Sequence, residues 1–446
     1  MKIIIAGAGD VGFHLAQLLS YENQSIMLVD SNKEVLEYAS SRLDVKTIPG
    51  DCAQVEILKD AGVAKSDVVL AVTTSEKTNL VTAILAKKLG AKQTFARTNS
   101  PEYLLKEQQD IFKELGIDHL ISPIKLAADE ILRLLKQSHF TDIYNFEEGR
   151  ISLIGVSIID SSPLAHIKLS QLPQDSADFK IRPVIILRDT LTIIPKGNDM
   201  LVPGDLVYFI LPKESIDSLK KLFDTKEHPI KNVMILGEGE MGYMVARLLE
   251  KEYRVTIIEK DRQYSKILAG KLSNAMVVNG DYSNFDILAE EGLDHMDAFV
   301  ALTNNSETNI ISSLTAKNHG VFKTIARVES KEYTYVSQNI GVDSLINKKL
   351  FAANDIFRYI RKGKVEALTS LSGVEAEIIE YLVDRPSKLT RKPLKDVRFP
   401  PSSLIGAVIR NKDVFIPDGD FQIELNDKVI VLALPKDISK LEKFFK

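Results

Sequence analysis

A chain of 446 residues is too long for one ordinary core and predicts several domains. Its 57 Lys and Arg against 61 Asp and Glu leave a formal net charge of −4, which excludes the basic excess of a nucleic-acid binder. One cysteine, Cys52, allows neither an internal disulfide framework nor a cysteine zinc cluster, and fits a reducing, cytoplasmic compartment.

Glycines and Asp10 cut short the apolar run at residues 3–8, so it predicts a buried strand rather than a signal peptide. No apolar run reaches the roughly 18 to 20 residues that cross a bilayer. The chain is expected to be no pore itself. The first strand leads into GAGDVG (residues 7–12) and a helical period, the context a dinucleotide-binding loop requires. Gly7 permits a tight turn, Gly9 lets the backbone approach a pyrophosphate, and Gly12 lets the helix pack close. The unpaired N–H groups of a helix start attract phosphate, so Gly7, Ala8, Gly9, Asp10, Val11 and Gly12 form a candidate phosphate floor. Asp10 carries negative charge into that loop, where it would repel pyrophosphate unless its side chain faces solvent or contacts ribose.

Strands predicted at 3–6, 25–29, 68–72 and 94–96 alternate with helical periods such as 78–89, which argues for an α/β fold with a doubly wound parallel sheet. Asp30 ends the second strand, where a carboxylate accepts from both ribose hydroxyls and repels a 2′-phosphate, so NAD or an adenine nucleotide is expected over NADP. At the next strand exit, Asp51 is placed to accept from an adenine amine with Cys52 beside the ring; the alternative makes both turn residues. Thr73 and Thr74 close the fourth strand with hydroxyls. Arg97 ends the fifth, either binding phosphate oxygens in the crevice or forming a surface salt bridge. Beyond it, Leu126, Ile131, Leu134 and Leu135 make an apolar helical stripe, read as core packing or as a dimer seam. Residues 144–223 then show alternating strands with Pro and Gly turns and a closing amphipathic helix, a small α+β module.

From Asn232 the chain repeats itself. Gly237, Gly239 and Gly242 follow Gly7, Gly9 and Gly12 at one constant offset, and Glu259 follows Asp30 one position short of it. Asp281, Thr303, Asn309 and Arg327 follow Asp51, Thr73, Asn79 and Arg97 at that same offset, and weaker echoes continue to Ile416. The second candidate site therefore comprises Gly237, Glu238, Gly239, Glu240, Met241, Gly242, Glu259, Asp281, Tyr282, Thr303, Asn304 and Arg327. Tyr282 and Asn304 replace Cys52 and Thr74, which leaves its ligand preference open.

Hydride transfer needs an acid or base within reach of the reacting oxygen. None of the 13 tyrosines has a lysine four residues on, and His14, His119 and His139 have no histidine counterparts in the second copy. Cys52 matches Tyr282, and no metal cluster is evident. A regulator is expected, with an NAD-dependent oxidoreductase as the alternative.

The segment MKIIIAGAGDVGFHLAQLL with its following Asp, then GD, AVT, N and AR, twice over and each time followed by a small α+β module, closely resembles the regulator-of-potassium-conductance (RCK) family, built of TrkA-N and TrkA-C modules. The resemblance implies two Rossmann-like domains at 1–122 and 231–347, crossover helices at 123–142 and 348–364, and C-terminal modules at 143–227 and 365–446. It also implies a non-enzymatic peripheral subunit that binds NAD(H) or ATP/ADP. Such subunits assemble as a tetrameric ring on the inner membrane face below a separate TrkH- or TrkG-type potassium transporter.

Overall fold

The computed structural model describes residues 1–20, 24–136, 140–172, 180–188, 191–223, 229–237, 239–329, 341–360, 365–370, 374, 376–411 and 413–445. It divides into two compact units.

The first unit holds residues 1–130 and 347–360. Its strands are β1 (Lys2–Ala6), β2 (Ser25–Asp30), β3 (Lys46–Pro49), β4 (Val68–Ala71), β5 (Gln93–Arg97) and β6 (His119–Ile121). They lie in the order β3-β2-β1-β4-β5-β6, all parallel. β1 and β4 are continuous apolar runs buried on both faces, as a sheet covered by helices on each side demands. The strand order reverses between β1 and β4, and a ligand crevice opens at such a switch point beyond the carboxyl ends. The helix Lys348–Ile360, from far along the chain, belongs to this unit and packs on the helix Asp10–Ser20. Its Tyr359 ring lies 4.9 Å from His119, which in turn stacks on Phe95 at 4.5 Å.

The second unit holds residues 131–346 and 361–446. It begins with the antiparallel strands β7 (Asp142–Phe146), β8 (Ile151–Ser157), β9 (Arg182–Arg188), β10 (Leu191–Ile193) and β11 (Leu206–Pro212), ordered β10-β9-β11-β8-β7. A second parallel sheet follows: β12 (Asn232–Leu236), β13 (Arg254–Glu259), β14 (Met276–Asn279), β15 (Ala298–Ala301), β16 (Lys323–Arg327) and β17 (Ser344–Ile346). Its order, β14-β13-β12-β15-β16-β17, repeats the first sheet strand for strand. The last sheet contains β18 (Val365–Ser370), β19 (Glu377–Leu382), β20 (Ser403–Arg410), β21 (Asp413–Phe415) and β22 (Lys428–Ala433), ordered β18-β19-β22-β20-β21.

The two antiparallel sheets share one apolar core, in which Ile151, Leu153, Ile185 and Tyr208 of the first meet Ile378, Ala407, Ile430 and Leu432 of the second. Each module alone buries only one face, and their contact covers the other. Each also carries the same ion pair: Arg188 on Asp205 at 2.7 Å, and Arg410 on Asp427 at 2.9 Å. The start of the first module is hydrogen-bonded to the second parallel sheet, through Lys323 Nζ to the Phe140 carbonyl (2.6 Å) and Ser344 Oγ to the Thr141 carbonyl (2.8 Å).

Candidate functional site

In the first crevice the Gly7 N–H donates to the Val29 carbonyl at 2.8 Å, and Gly7 has φ +105°. A Cβ there would stand 2.8 Å from the Thr73 nitrogen, so only glycine fits. A Cβ on Gly12 would lie 1.8 Å from the Gly7 oxygen, whereas one on Gly9 would meet nothing within 4 Å. The loop is therefore closed on its inner side and open at Gly9. Ala8 donates its N–H to Asp30 Oδ2 at 2.7 Å and Asn32 donates to Oδ1 at 2.9 Å, which fixes the carboxylate beside the loop. Val11 is buried beneath it. Asp10 is exposed and ion-paired with Lys349, so an ammonium group meets the negative charge in the loop.

Asp51 Oδ1 accepts the Ala53 N–H at 2.9 Å, the geometry of the turn reading. Cys52 is 5% exposed and packs among Ile4, Ala6, Leu58 and Val69. Burial pushes its thiol up, against a weak hydrogen bond from Thr82 at 3.5 Å. Its side chain is thus a core group, and it offers the crevice only backbone. His14 is buried in its helix, His119 stacks as described, and His139 lies outside the described residues.

The ends of β4 and β5 are joined by one buried amide. Asn79 Oδ1 accepts from the Thr73 N–H (2.8 Å) and hydroxyl (2.7 Å), while its Nδ2 donates to the carbonyls of Thr73 and Arg97, both at 3.0 Å. Asn79 sits in the first turn of the helix Glu76–Lys88, which Ser75 caps by accepting the Thr78 N–H. Thr74 is exposed and Arg97 is half-buried.

The second crevice repeats this amide. Asn309 Oδ1 accepts from Thr303 N–H (2.9 Å) and hydroxyl (2.7 Å), and its Nδ2 donates to the Thr303 and Arg327 carbonyls at 2.9 Å. Other details differ. The left-handed glycine is Gly239 (φ +66°), and a Cβ on Gly237 would strike Ile257 at 2.5 Å. A Cβ on Gly242 would lie 2.7 Å from the Gly237 Cα, Met241 is buried, and Glu238 lies outside the described residues. Glu259 is 2% exposed and accepts the Asp261 N–H at 2.9 Å. Tyr264, near it and the exposed Glu240, is pushed up to about 12 by burial and by both carboxylates, so its phenol stays protonated. Asp281 accepts the Ser283 N–H at 3.0 Å and pairs with Lys260 at 2.9 Å, and both contacts hold its carboxyl low. Tyr282 is half-buried against the sheet core. Arg327 is 4% exposed and is held by Glu329 and by the exposed Asn304, whose Oδ1 accepts at 3.0 Å.

Sequence reasoning left Asn79 and Asn309 out of the site, although the repeat flagged them by their recurrence at matching positions of the two copies. It missed Lys349, Tyr264 and Glu329 altogether. Lys349 stands 339 residues from its partner, beyond any local pattern. Chemically, the first crevice sets a carboxylate beside a glycine loop and a half-buried arginine at the end of β5, a set suited to an anionic nucleotide, whereas in the second the corresponding Glu259 and Arg327 are buried and the arginine is already paired. Among the described residues no group of three or more metal-ligating side chains converges, and no helix is long and apolar enough to cross a membrane.

Fold and site together define a tandem Rossmann protein in which each parallel sheet is followed in the chain by a small antiparallel module. The chain belongs to the TrkA family: the TrkA-N domain matches residues 3–123 and 233–348, and the TrkA-C domain matches 153–224 and 378–446. It is similar to the Trk system potassium uptake protein TrkA homolog of Archaeoglobus fulgidus, 33% identical with 100% of both chains covered. It is likewise similar to the Trk system potassium uptake protein TrkA of Vibrio alginolyticus, 32% identical over 100% of this chain and 98% of that one. Among solved structures it shares its fold with the GsuK RCK domain (TM-score 0.60, 15% identity, 100% of this chain and 94% of that one). The GsuK channel bound to NAD gives a TM-score of 0.59 at 16% identity, over 100% of this chain and 78% of that one.

Proposed function

We propose that this chain is the nucleotide-sensing, gating subunit of a Trk-type potassium-uptake system, exchanging NAD(H) with ATP or ADP in its two crevices. It works at the inner face of the membrane as a homotetrameric ring below a TrkH- or TrkG-type pore. The observation that carries this reading is the duplicated Thr–Asn–Arg lattice, Thr73–Asn79–Arg97 and Thr303–Asn309–Arg327, built at the carboxyl ends of two matching sheets. Relatives named for potassium uptake match over the full length, and the GsuK channel has been solved with NAD and with ADP. Val81 and Ile311, at matching positions of corresponding helices, are both exposed, as are Leu105, Ile111 and Leu115. Those positions are where contacts between copies in a ring would be sought.

Gating requires a ligand that binds two ring shapes with different affinity, since equal binding shifts nothing. A terminal phosphate reaching Arg97 supplies such a difference. Arg97→Ala should then weaken ATP binding roughly 10- to 100-fold, the worth of a charge-assisted hydrogen bond, and NADH binding much less. Calorimetric titration of the purified chain checks this, and equal losses for both nucleotides would remove the phosphate-sensing role. Potassium flux through vesicles holding the pore and this chain should change when NADH is replaced by ATP; a flux indifferent to the nucleotide would end the gating reading.

A further inference from the structure

Among the differences between the two crevices is the position of one carboxylate. In the first, Glu76 opens the helix after β4 and turns to the loop beyond Arg97. It accepts from the Thr98 hydroxyl, the Asn99 N–H (2.7 Å), and the Ser100 N–H (2.8 Å) and hydroxyl (2.9 Å). Burial opposes its ionisation, but these bonds hold its carboxyl below the usual range, so the charge is committed to the loop backbone. Two residues after Arg97 stands Asn99, which is neutral.

At the matching positions of the second crevice, Ser306 replaces Glu76 and Glu329 replaces Asn99. Ser306 Oγ accepts the Glu329 N–H at 3.1 Å, which leaves the Glu329 carboxylate to turn back on Arg327. It receives Nε at 2.9 Å and Nη2 as well, while Nη1 goes to Asn304 at 3.0 Å and the Leu302 carbonyl at 3.3 Å. The Arg327 side chain is only 4% exposed and that of Glu329 28%. The guanidinium is thus enclosed together with its own counter-charge.

We propose that Glu329 sets the ligand selectivity of the second crevice, disfavouring nucleoside triphosphates relative to dinucleotides. A terminal phosphate arriving at Arg327 meets the Glu329 carboxylate by like-charge repulsion, or else has to displace it from the guanidinium. A dinucleotide avoids both, because its charge is confined to the pyrophosphate over the glycine loop. Asn99 imposes no such conflict on the first crevice. The inference rests on the nucleotide-binding reading above.

The test uses the full chain and reads the ratio of ATP to NADH affinity by calorimetry. With Arg97→Ala in place to suppress the first crevice as a triphosphate site, Glu329→Asn should shift that ratio toward ATP by about tenfold or more, as loss of one charge–charge conflict predicts. A merely structural role would lower both affinities and leave the ratio where it was. The converse change, Asn99→Glu in the otherwise unaltered chain, should shift the first crevice toward NADH, and it keeps the test open should Glu329→Asn fold poorly. An unmoved ratio in both variants, with NADH still bound, overturns the role of Glu329 alone. Failure of the unaltered chain to bind either nucleotide overturns the nucleotide-binding reading, and this inference with it.

Discussion

Gly9 and Gly12 stand three residues apart in the first loop, yet a methyl group would meet open space at Gly9 and the Gly7 carbonyl oxygen at Gly12. Gly9→Ala should therefore fold with near-normal stability and lose nucleotide affinity, because its methyl group occupies the path of the pyrophosphate. Gly12→Ala should cost about 1–3 kcal/mol or more, the range for forcing extra volume into a packed site. Urea unfolding separates the two, and equal stability loss at both positions would refute this division of roles. The motif spacing made these glycines legible because backbone geometry is a local property. The second loop shows the limit of that reading: the same letters place the left-handed turn at Gly239 instead of Gly7's counterpart, Gly237. Asp10 shows another limit, since the charge that looked hostile to phosphate is met by Lys349 on a distant helix.

At the scale of elements, strands and helices followed from apolar runs and their spacing, since a parallel sheet covered on both faces needs strands apolar throughout. What joins their ends was less visible. Asn79 and Asn309 each bind one strand exit to the next through a side chain almost wholly enclosed. Removing either by alanine leaves buried backbone groups without partners, so Asn79→Ala and Asn309→Ala should each lose about 1–3 kcal/mol. Each should also weaken the nucleotide site in its own crevice, because Thr and Arg are no longer held together. Denaturant titration paired with calorimetry reads both effects, and unchanged affinity with lowered stability would show that the amide serves the fold alone. Of the stripe read either as core or as dimer seam, Ile131, Leu134 and Leu135 are buried within the single chain, which favours core packing. Hydrophobic spacing identifies an apolar face but carries no information about what covers it.

At the scale of the whole molecule, the packed antiparallel modules enclose a titratable carboxyl group. Glu380 on β19 is 2% exposed beside Ile378, Ile430 and Leu432. Glu147, from the turn after β7, and Lys428 on β22 meet it, with Lys428 Nζ 2.7 Å from Glu147 and 3.9 Å from Glu380. Arg150 adds a further positive charge near Glu147. Burial and the neighbouring Glu147 push Glu380 up to about 8. Burial also resists ionisation of Glu147, but Lys428 holds its carboxyl below the usual range. Because Glu380 is raised above its unfolded value, its contribution to stability is full below about pH 4.5 and is lost as pH rises through 8. Between those values the folded chain holds one proton more than the unfolded chain, so stability should fall by up to about 1.4 kcal/mol per pH unit from this group. Thermal melts from pH 6 to 9 should decline in the unaltered chain and flatten in Glu380→Gln; parallel declines in both would rule the carboxyl out as the cause. At the matching position of β8 the first module has Gly155, opposite β11 as Glu380 is opposite β22, so the cluster is peculiar to one side of a duplicated interface.

The sequence by itself determined the duplication, the parallel sheets, the small α+β modules and the ends of the strands at which the crevices open. All of these rest on local periodicity and on spacings that recur when a chain is copied. Only the tertiary structure decided that a helix from the second copy completes the first unit, that Cys52 points into a core, and that the Glu329 carboxylate turns back on Arg327 and neutralises it. Those outcomes depend on which distant side chains come within a few ångströms, and burial and Coulomb energies act through space without regard to order along the chain.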